Sequence, residues 1–254
     1  MRWSFLHSTP LPGAMNMAVD EWLLDRARRT GTGTVRVYSW SSPTISFGRH
    51  QAARRGFDGE RARRAGLDVV RRLTGGRAVL HHREVTYAVA APVHSGVDLR
   101  DDYAAINRLL ADALGALGVA VAIVPAGKRM PAPGSAPCFE LPAPGELTFR
   151  GRKLVGSAQV RDGDAWMQHG SILVHDDQHR LRDAALGALP VTEAATLSDA
   201  LGREVTPAEF ADVLREVVRA TWDPDVDALD ADLACEGART RESIYRNDDW
   251  TWRR

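Results

Sequence analysis

The hydrophobic pattern of this chain changes period repeatedly between Gly13 and Val174, which restricts the folds it can adopt. From about Gly13 to Arg29, Met15, Ala18, Val19, Trp22, Leu23 and Arg26 recur at helical spacing, all but the last apolar. Arg26, Arg28 and Arg29 stand near the negative end of that helix, and Gly31 and Gly33 stop it. Strand-like runs follow at Val35 to Tyr38 and Thr44 to Phe47, parted by Ser41-Ser42-Pro43. A short helix is expected from Asp58 to Ala65, then strands at Leu67 to Arg72, Ala78 to Leu80 and Val85 to Ala90. A second amphipathic helix, Asp101 to Leu117, puts Tyr103, Ile106, Leu109, Leu110 and Leu114 on one face and ends at Gly118. Val119 to Val124 reads as a strand. So do Leu147 to Arg150, Lys153 to Val160 and Trp166 to Val174, with hairpin turns at Gly151-Arg152 and Asp162-Gly163. From about Arg180 the pattern is mainly helical, clearest from Pro207 to Ala220. Helices intermixed with hairpins call for an α+β fold, a mixed β-sheet flanked by helices. No linker interrupts the chain before residue 180, so a single domain over 1–254 is expected, with 180–254 its helical part.

Lys plus Arg and Asp plus Glu each number 33, so the formal net charge is zero, which argues against a bulk nucleic-acid binder. No run approaches the roughly 20 apolar residues of a membrane span, and Met1 to Pro10 lacks a signal-type core. The two cysteines, Cys138 and Cys235, are too few for a disulfide framework and lack metal spacing. Reduced thiols, a cytoplasmic setting and no bound metal are the expectation. The only lysines are Lys128 and Lys153. A desolvated lysine can lose its proton whereas arginine cannot, so each lysine is a candidate for chemistry.

Two segments carry that chemistry. The first is Val69-Val70-Arg71-Arg72-Leu73-Thr74-Gly75-Gly76-Arg77-Ala78-Val79-Leu80-His81-His82. A strand entering paired glycines exposes backbone N–H groups, with Arg71, Arg72 and Arg77 alongside. That suits a phosphate, a carboxylate or a carbonyl oxygen, and equally a tight turn with solvated arginines. It is neither a P-loop nor a dinucleotide fingerprint. The second is Gly151-Arg152-Lys153-Leu154-Val155-Gly156-Ser157-Ala158-Gln159-Val160-Arg161, followed by Gln168-His169-Gly170-Ser171-Ile172-Leu173. Between them lies a Pro/Gly/Ala-rich stretch, Pro125 to Pro144, of the kind that forms long functional loops.

Taken together, and with Asn16, Met17, Ala18 and Asp20 of the first helix, these segments resemble the lipoate-protein ligase and octanoyltransferase family, of the biotin/lipoate protein ligase superfamily. The resemblance covers roughly the first two thirds of the chain. It implies the biotin/lipoate protein ligase catalytic domain, similar to class II aminoacyl-tRNA synthetases. It also implies that Arg72, Gly75, Gly76, Arg77, Ala78, Val79 and His81 form an acyl-binding loop. Gly156, Ser157, Ala158, His169 and Gly170 would complete the substrate site.

Ala136-Pro137-Cys138-Phe139-Glu140-Leu141-Pro142 resembles the cysteine loop of the lipoate-ligase-like octanoyltransferases. In those enzymes octanoate passes from acyl carrier protein to this cysteine, then to a lysine of a lipoyl domain, without ATP. Arg77 stands where ligases usually carry a third glycine. Where the transferases usually have Ser-Trp-Tyr-Glu, this chain has Ala143-Pro144-Gly145-Glu146, keeping only the glutamate. Cys138 as nucleophile and Lys153 as its general acid/base are therefore the expected catalytic pair. A free cysteine has a pKa of about 8.5, and a nearby ammonium would lower it. Burying an eight-carbon chain at about 0.8 kcal/mol per methylene gives about 5 kcal/mol of binding, against walls expected to include Val79, Leu80, Val155 and the first helix.

The implied partners are acyl carrier protein as donor and a lipoyl-domain protein, the glycine cleavage H protein or a dehydrogenase E2, as acceptor. Arg61, Arg63, Arg64 and Arg152 are candidate contacts, and a monomer is expected. Two other readings stay open: an ATP-dependent lipoate ligase using magnesium-ATP, and a non-catalytic acyl- or lipoyl-domain-binding protein. Cys235, His50, His82, His94, His175 and His179 are read as structural or incidental.

Overall fold

The computed structural model describes residues 1–94, 96, 98–125, 144–191 and 193–253. Its first strand, β1 (Trp3–His7), is one the hydrophobic pattern did not announce; α1 (Gly13–Thr30), β2 (Gly33–Tyr38), β3 (Thr44–Phe47), α2 (Gly59–Arg64) and β4 (Asp68–Arg71) follow. Then come β5 (Val79–His81), β6 (Glu84–Pro92), α3 (Leu99–Ala116), β7 (Ala122–Ile123), β8 (Leu147–Phe149), β9 (Arg152–Lys153), β10 (Val155–Asp162) and β11 (Ala165–Leu173). The remainder holds α4 (Leu181–Ala184), α5 (Leu197–Leu201), α6 (Pro207–Thr221), β12 (Asp227–Ala228), α7 (Ala231–Tyr245) and α8 (Asp248–Thr251). This is the mixed α+β architecture expected from the pattern.

The main sheet has the order β10-β11-β6-β2-β1-β12. Its β1–β2 and β1–β12 pairs are parallel and the others antiparallel. Two small sheets, β4-β3-β5 and β7-β8-β9, stand beside it. Alternation along β6 sorts its side chains: Val85, Tyr87 and Val89 join the core under α3 and α6, while Ala88 and Ala90 join the core under α1 and α7. The small residues on the second face let α1 approach closely. Among the described residues no helix is long and apolar enough to cross a membrane.

Three sequence expectations are corrected. The apolar stripe assigned to α1 includes Met15 and Trp22, yet both are only partly buried, while Asn16, Met17 and Asp20 are buried. The helix is covered on two sides, by the sheet and by α7, so a single-stripe reading fails. At Gly237 of α7, an added Cβ would come within 2.3 Å of the Trp22 indole. The strand expected from Val119 to Val124 shrinks to two residues. The strand expected from Lys153 to Val160 breaks at Leu154: Lys153 pairs with Thr148 in a small sheet, and Val155 pairs with Ile172 in the main one. That break sets Lys153 at the junction of two sheets.

Candidate active site

The chemistry gathers at one end of the main sheet, where β6 starts, β11 finishes and β10 begins. A cleft of about 440 Å³, partly open to solvent, is lined there by Met17, Tyr38, Trp40, Ser46, Arg72, Gly76, Val79, His81, Thr86, Gly156 to Ala158 and His169 to Ser171. Arg72, Gly76, Val79, His81, Gly156, Ser157, Ala158, His169 and Gly170, distant in sequence, thus share one cavity. Gly75, Arg77 and Ala78 stand outside the lining, and Ala78 packs instead with Ile45 and Phe47. Leu80 and Val155 do not form its walls as expected, because strand alternation turns them into two other cores. Cys138 lies outside the described residues.

The glycine corner is held from within. Arg72 donates to Ser46 O and Oγ at 2.8 and 3.0 Å, and to the carbonyls of Gly75 and Arg77 at 2.8 Å each. Gly76 has φ +95°, and a Cβ there would meet Arg72 Nη2 at 2.7 Å. Gly48 passes so close that its Cβ would lie 2.1 Å from Gly76 O. Arg71 is fully buried. It donates to the carbonyls of Gly48, Arg49 and Gln51 on one side and of Trp250, Thr251 and Arg253 on the other. The arginines the sequence offered as a cationic rim are therefore largely engaged with backbone oxygen.

Two carboxylate–histidine pairs fix the polar wall. Asp20 Oδ2 accepts from His169 Nδ1 and from the Tyr38 hydroxyl, each at 3.0 Å, and Oδ1 accepts from Arg36 at 2.7 Å. Burial opposes ionisation of Asp20, but the His169 hydrogen bond and the Arg36 charge outweigh it and hold its carboxyl below the ordinary range. Burial pushes the His169 imidazole down, so the ring is neutral, with Nδ1–H given to Asp20 and Nε2 accepting from the Thr74 hydroxyl at 2.6 Å. This joins α1, the glycine corner and β11. In the second pair, Glu84 Oε1 accepts from His81 Nδ1 at 2.6 Å and from Thr86 at 2.7 Å, while Ser171 bonds to Oε2. His81 Nε2 meets Ser46 Oγ at 2.7 Å, and its ring stacks on Trp40 with centroids 4.1 Å apart.

Lys153 lies on the β9–β10 break with its Nζ 2.7 Å from Glu146 Oε1. The two side chains are only 3% and 5% exposed. A charge pair this deep offsets part of the cost of taking each group out of water. Sequence reasoning noted Glu146 only as a retained residue and gave no role to Ser46, Thr74 or Glu84. The available signal was Asn16 and Asp20, polar residues four apart on a helix otherwise rich in apolar side chains. Among the described residues no three His, Cys, Asp or Glu side chains could hold a metal. Cys235 is half-buried on α7, and burial pushes its thiol up, as suits an inert packing residue.

The cleft brings the glycine corner together with residues of β10 and β11, and Lys153 stands outside its lining. Residues 12–219 match the family described as the lipoyl protein ligase A/B catalytic domain, and the chain belongs to that family. Among its curated relatives is the octanoyltransferase LipM of Carboxydothermus hydrogenoformans, 41% identical over 70% of this chain and 67% of that protein. The LipM of Kyrpidia tusciae is 34% identical over 99% of both chains. Among solved structures, lipoate-protein ligase A bound with ATP superposes with a TM-score of 0.80 at 20% identity over 99% of both chains. The bipartite lipoate protein ligase of Thermoplasma acidophilum gives 0.76 at 20% identity, over 99% of this chain and 96% of that one. These two likenesses are of fold.

Proposed function

We propose that this chain is an octanoyltransferase that moves an octanoyl group from acyl carrier protein to a lysine of a lipoyl domain. The observation that carries the reading is the run of LipM octanoyltransferases at 30–43% identity, one of them along 99% of both chains. The ligase likenesses, at 20% identity, speak for fold alone. Support also comes from the cleft: its apolar and ring surfaces, Met17, Trp40 and Val79, suit a hydrocarbon chain, and its polar groups are tied to one another.

In this reading the Cys138 thiol gives its proton to the Lys153–Glu146 pair and attacks the thioester carbonyl. The carrier's C–S bond breaks, the pair returns that proton to the carrier sulfur so that it leaves as a thiol, and an acyl-cysteine forms. The acceptor amine then attacks that carbonyl, an amide forms, and the C–S bond breaks. The proton released from the amine passes by way of the Lys153–Glu146 pair to the departing sulfur. One thioester is exchanged for another before the amide forms, so no nucleotide is consumed. In the same reading the enzyme meets its donor and acceptor in the cytoplasm and acts as a monomer. The test is intact-mass spectrometry after mixing with octanoyl carrier protein. The wild type gains one octanoyl group and Cys138→Ala gains none, and label then moves to an apo-lipoyl domain without ATP. Labelling that requires ATP and survives Cys138→Ala would refute it.

A further inference from the structure

The polar groups between Lys153 and the cleft have a proton count that can be worked out atom by atom. The carbonyl of Gly145 can only accept, so the Asn107 atom 2.8 Å from it is the amide nitrogen, Nδ2. Asn107 then turns Oδ1 toward Gln168, and the Gln168 atom 3.3 Å away must be the donor Nε2. That nitrogen gives its other proton to the Tyr87 oxygen at 2.9 Å. Gln168 Oε1 is left buried without a partner among the described residues, as this orientation requires. Reversing either amide would set oxygen against oxygen.

Tyr87 is fully buried and keeps its proton, because burial pushes its phenol up. Among the described residues, the Ser157 hydroxyl at 2.7 Å is the one acceptor that its O–H meets. A buried hydroxyl left without an acceptor loses a full hydrogen bond, so Tyr87 donates and Ser157 accepts. Ser157 Oγ therefore still holds a proton with no acceptor among the described residues. Ser157 is half-buried, lines the cleft, and stands four residues beyond Lys153. Both branches of the network end on consecutive residues: Gly145 anchors the amide chain and Glu146 anchors Lys153. Gly145 is itself constrained, with φ +85° and the Tyr103 ring 2.8 Å from where a Cβ would stand.

We infer that Ser157 is a further catalytic residue, its free O–H donating a hydrogen bond to the acyl carbonyl oxygen as negative charge develops there, with Tyr87, Gln168 and Asn107 as positioning residues. From Gln168 to Tyr87 to Ser157 each donor feeds the next, which polarises the last hydroxyl, Ser157, while Asn107 and Gly145 hold the Gln168 amide in the orientation that starts the run. The inference rests on the octanoyl-transfer reading.

The test compares the wild type, Ser157→Ala, Ser157→Thr and Tyr87→Phe in transfer from octanoyl carrier protein to an apo-lipoyl domain. A second readout is the infrared band of ¹³C-carbonyl octanoyl pantetheine bound to each. Ser157→Ala should lower kcat about 100-fold with KM changed by less than about twofold, the range for loss of one oxyanion donor. Its bound carbonyl band should move toward that of the free ligand. Ser157→Thr, which keeps the hydroxyl, should retain more than about a tenth of kcat, and Tyr87→Phe should lose about tenfold. Wild-type kcat in Ser157→Ala, or an unmoved carbonyl band, would overturn the assignment while leaving octanoyl transfer intact. A wild type that moves no octanoyl group would instead overturn the transfer reading, and the bound carbonyl band would still decide on Ser157.

Discussion

In the corner from Val69 to His82, charged side chains turn toward main-chain oxygen atoms; at Glu146 and Lys153 they turn toward each other. Arg71 and Arg72 hold carbonyls of the Gly48 to Gln51 segment, the glycine pair and the last turn of the chain, so their work is to fix backbone shape. Lys153 instead pairs, deeply buried, with the Glu146 carboxylate. Motifs of similar density in the sequence thus meet different partners: main-chain carbonyls around the arginines, and a buried carboxylate beside Lys153.

Four substitutions would break or sharpen this contrast. Lys153→Met should lower octanoyl transfer by at least about 10³-fold, or about 4 kcal/mol of barrier, in protein that still folds by circular dichroism. Transfer within about tenfold of wild type would end its catalytic assignment. Arg71→Met should cost about 3–5 kcal/mol of stability in urea unfolding, since it strands several buried carbonyls, and should lower activity only through loss of folded protein. Gly76→Ala should cost about 1–3 kcal/mol, because its φ of +95° and the nearby Arg72 leave no relaxed place for a Cβ.

The smallest effect concerns pH. Folded His169 resists protonation, whereas an unfolded imidazole titrates near pH ~6.5. Below that value the unfolded chain takes up a proton that the folded chain does not. Stability should therefore fall as pH drops from about 6.5 toward the lowered folded value, and be fully present above. In His169→Gln that slope should flatten; an unchanged slope would assign it to another group.

Much of the site was legible in the sequence because paired motifs constrain backbone. Arg72 and Gly76 of the glycine corner, Gly156 to Ala158 and His169-Gly170 were named from motifs far apart in the chain and line one cleft, whereas Lys153 stands outside that lining and His169-Gly170 lies within β11 rather than in a turn. What stayed hidden were partnerships across layers. Asp20 on α1 reaches His169 on β11, 149 residues away, and no local period encodes that contact. The α1 stripe was misjudged for the same reason: α7 covers its second side, and only the closed fold brings α7 there. The break at Leu154 was invisible because a β-prone run carries no mark of which sheet each residue joins.

The first strand has a consequence for how the molecule is made. β1 pairs in parallel with β2 and also with β12, whose residues Asp227 and Ala228 lie more than 200 positions downstream. During synthesis that edge of the ladder cannot close until the chain has emerged past Ala228. Parallel pairings across such separations form slowly, because a long loop must be ordered first. A newly made chain would therefore hold one flank of β1 unpaired while its central hairpins are already in place, and this is the interval in which a folding helper or a neighbouring nascent chain would find it.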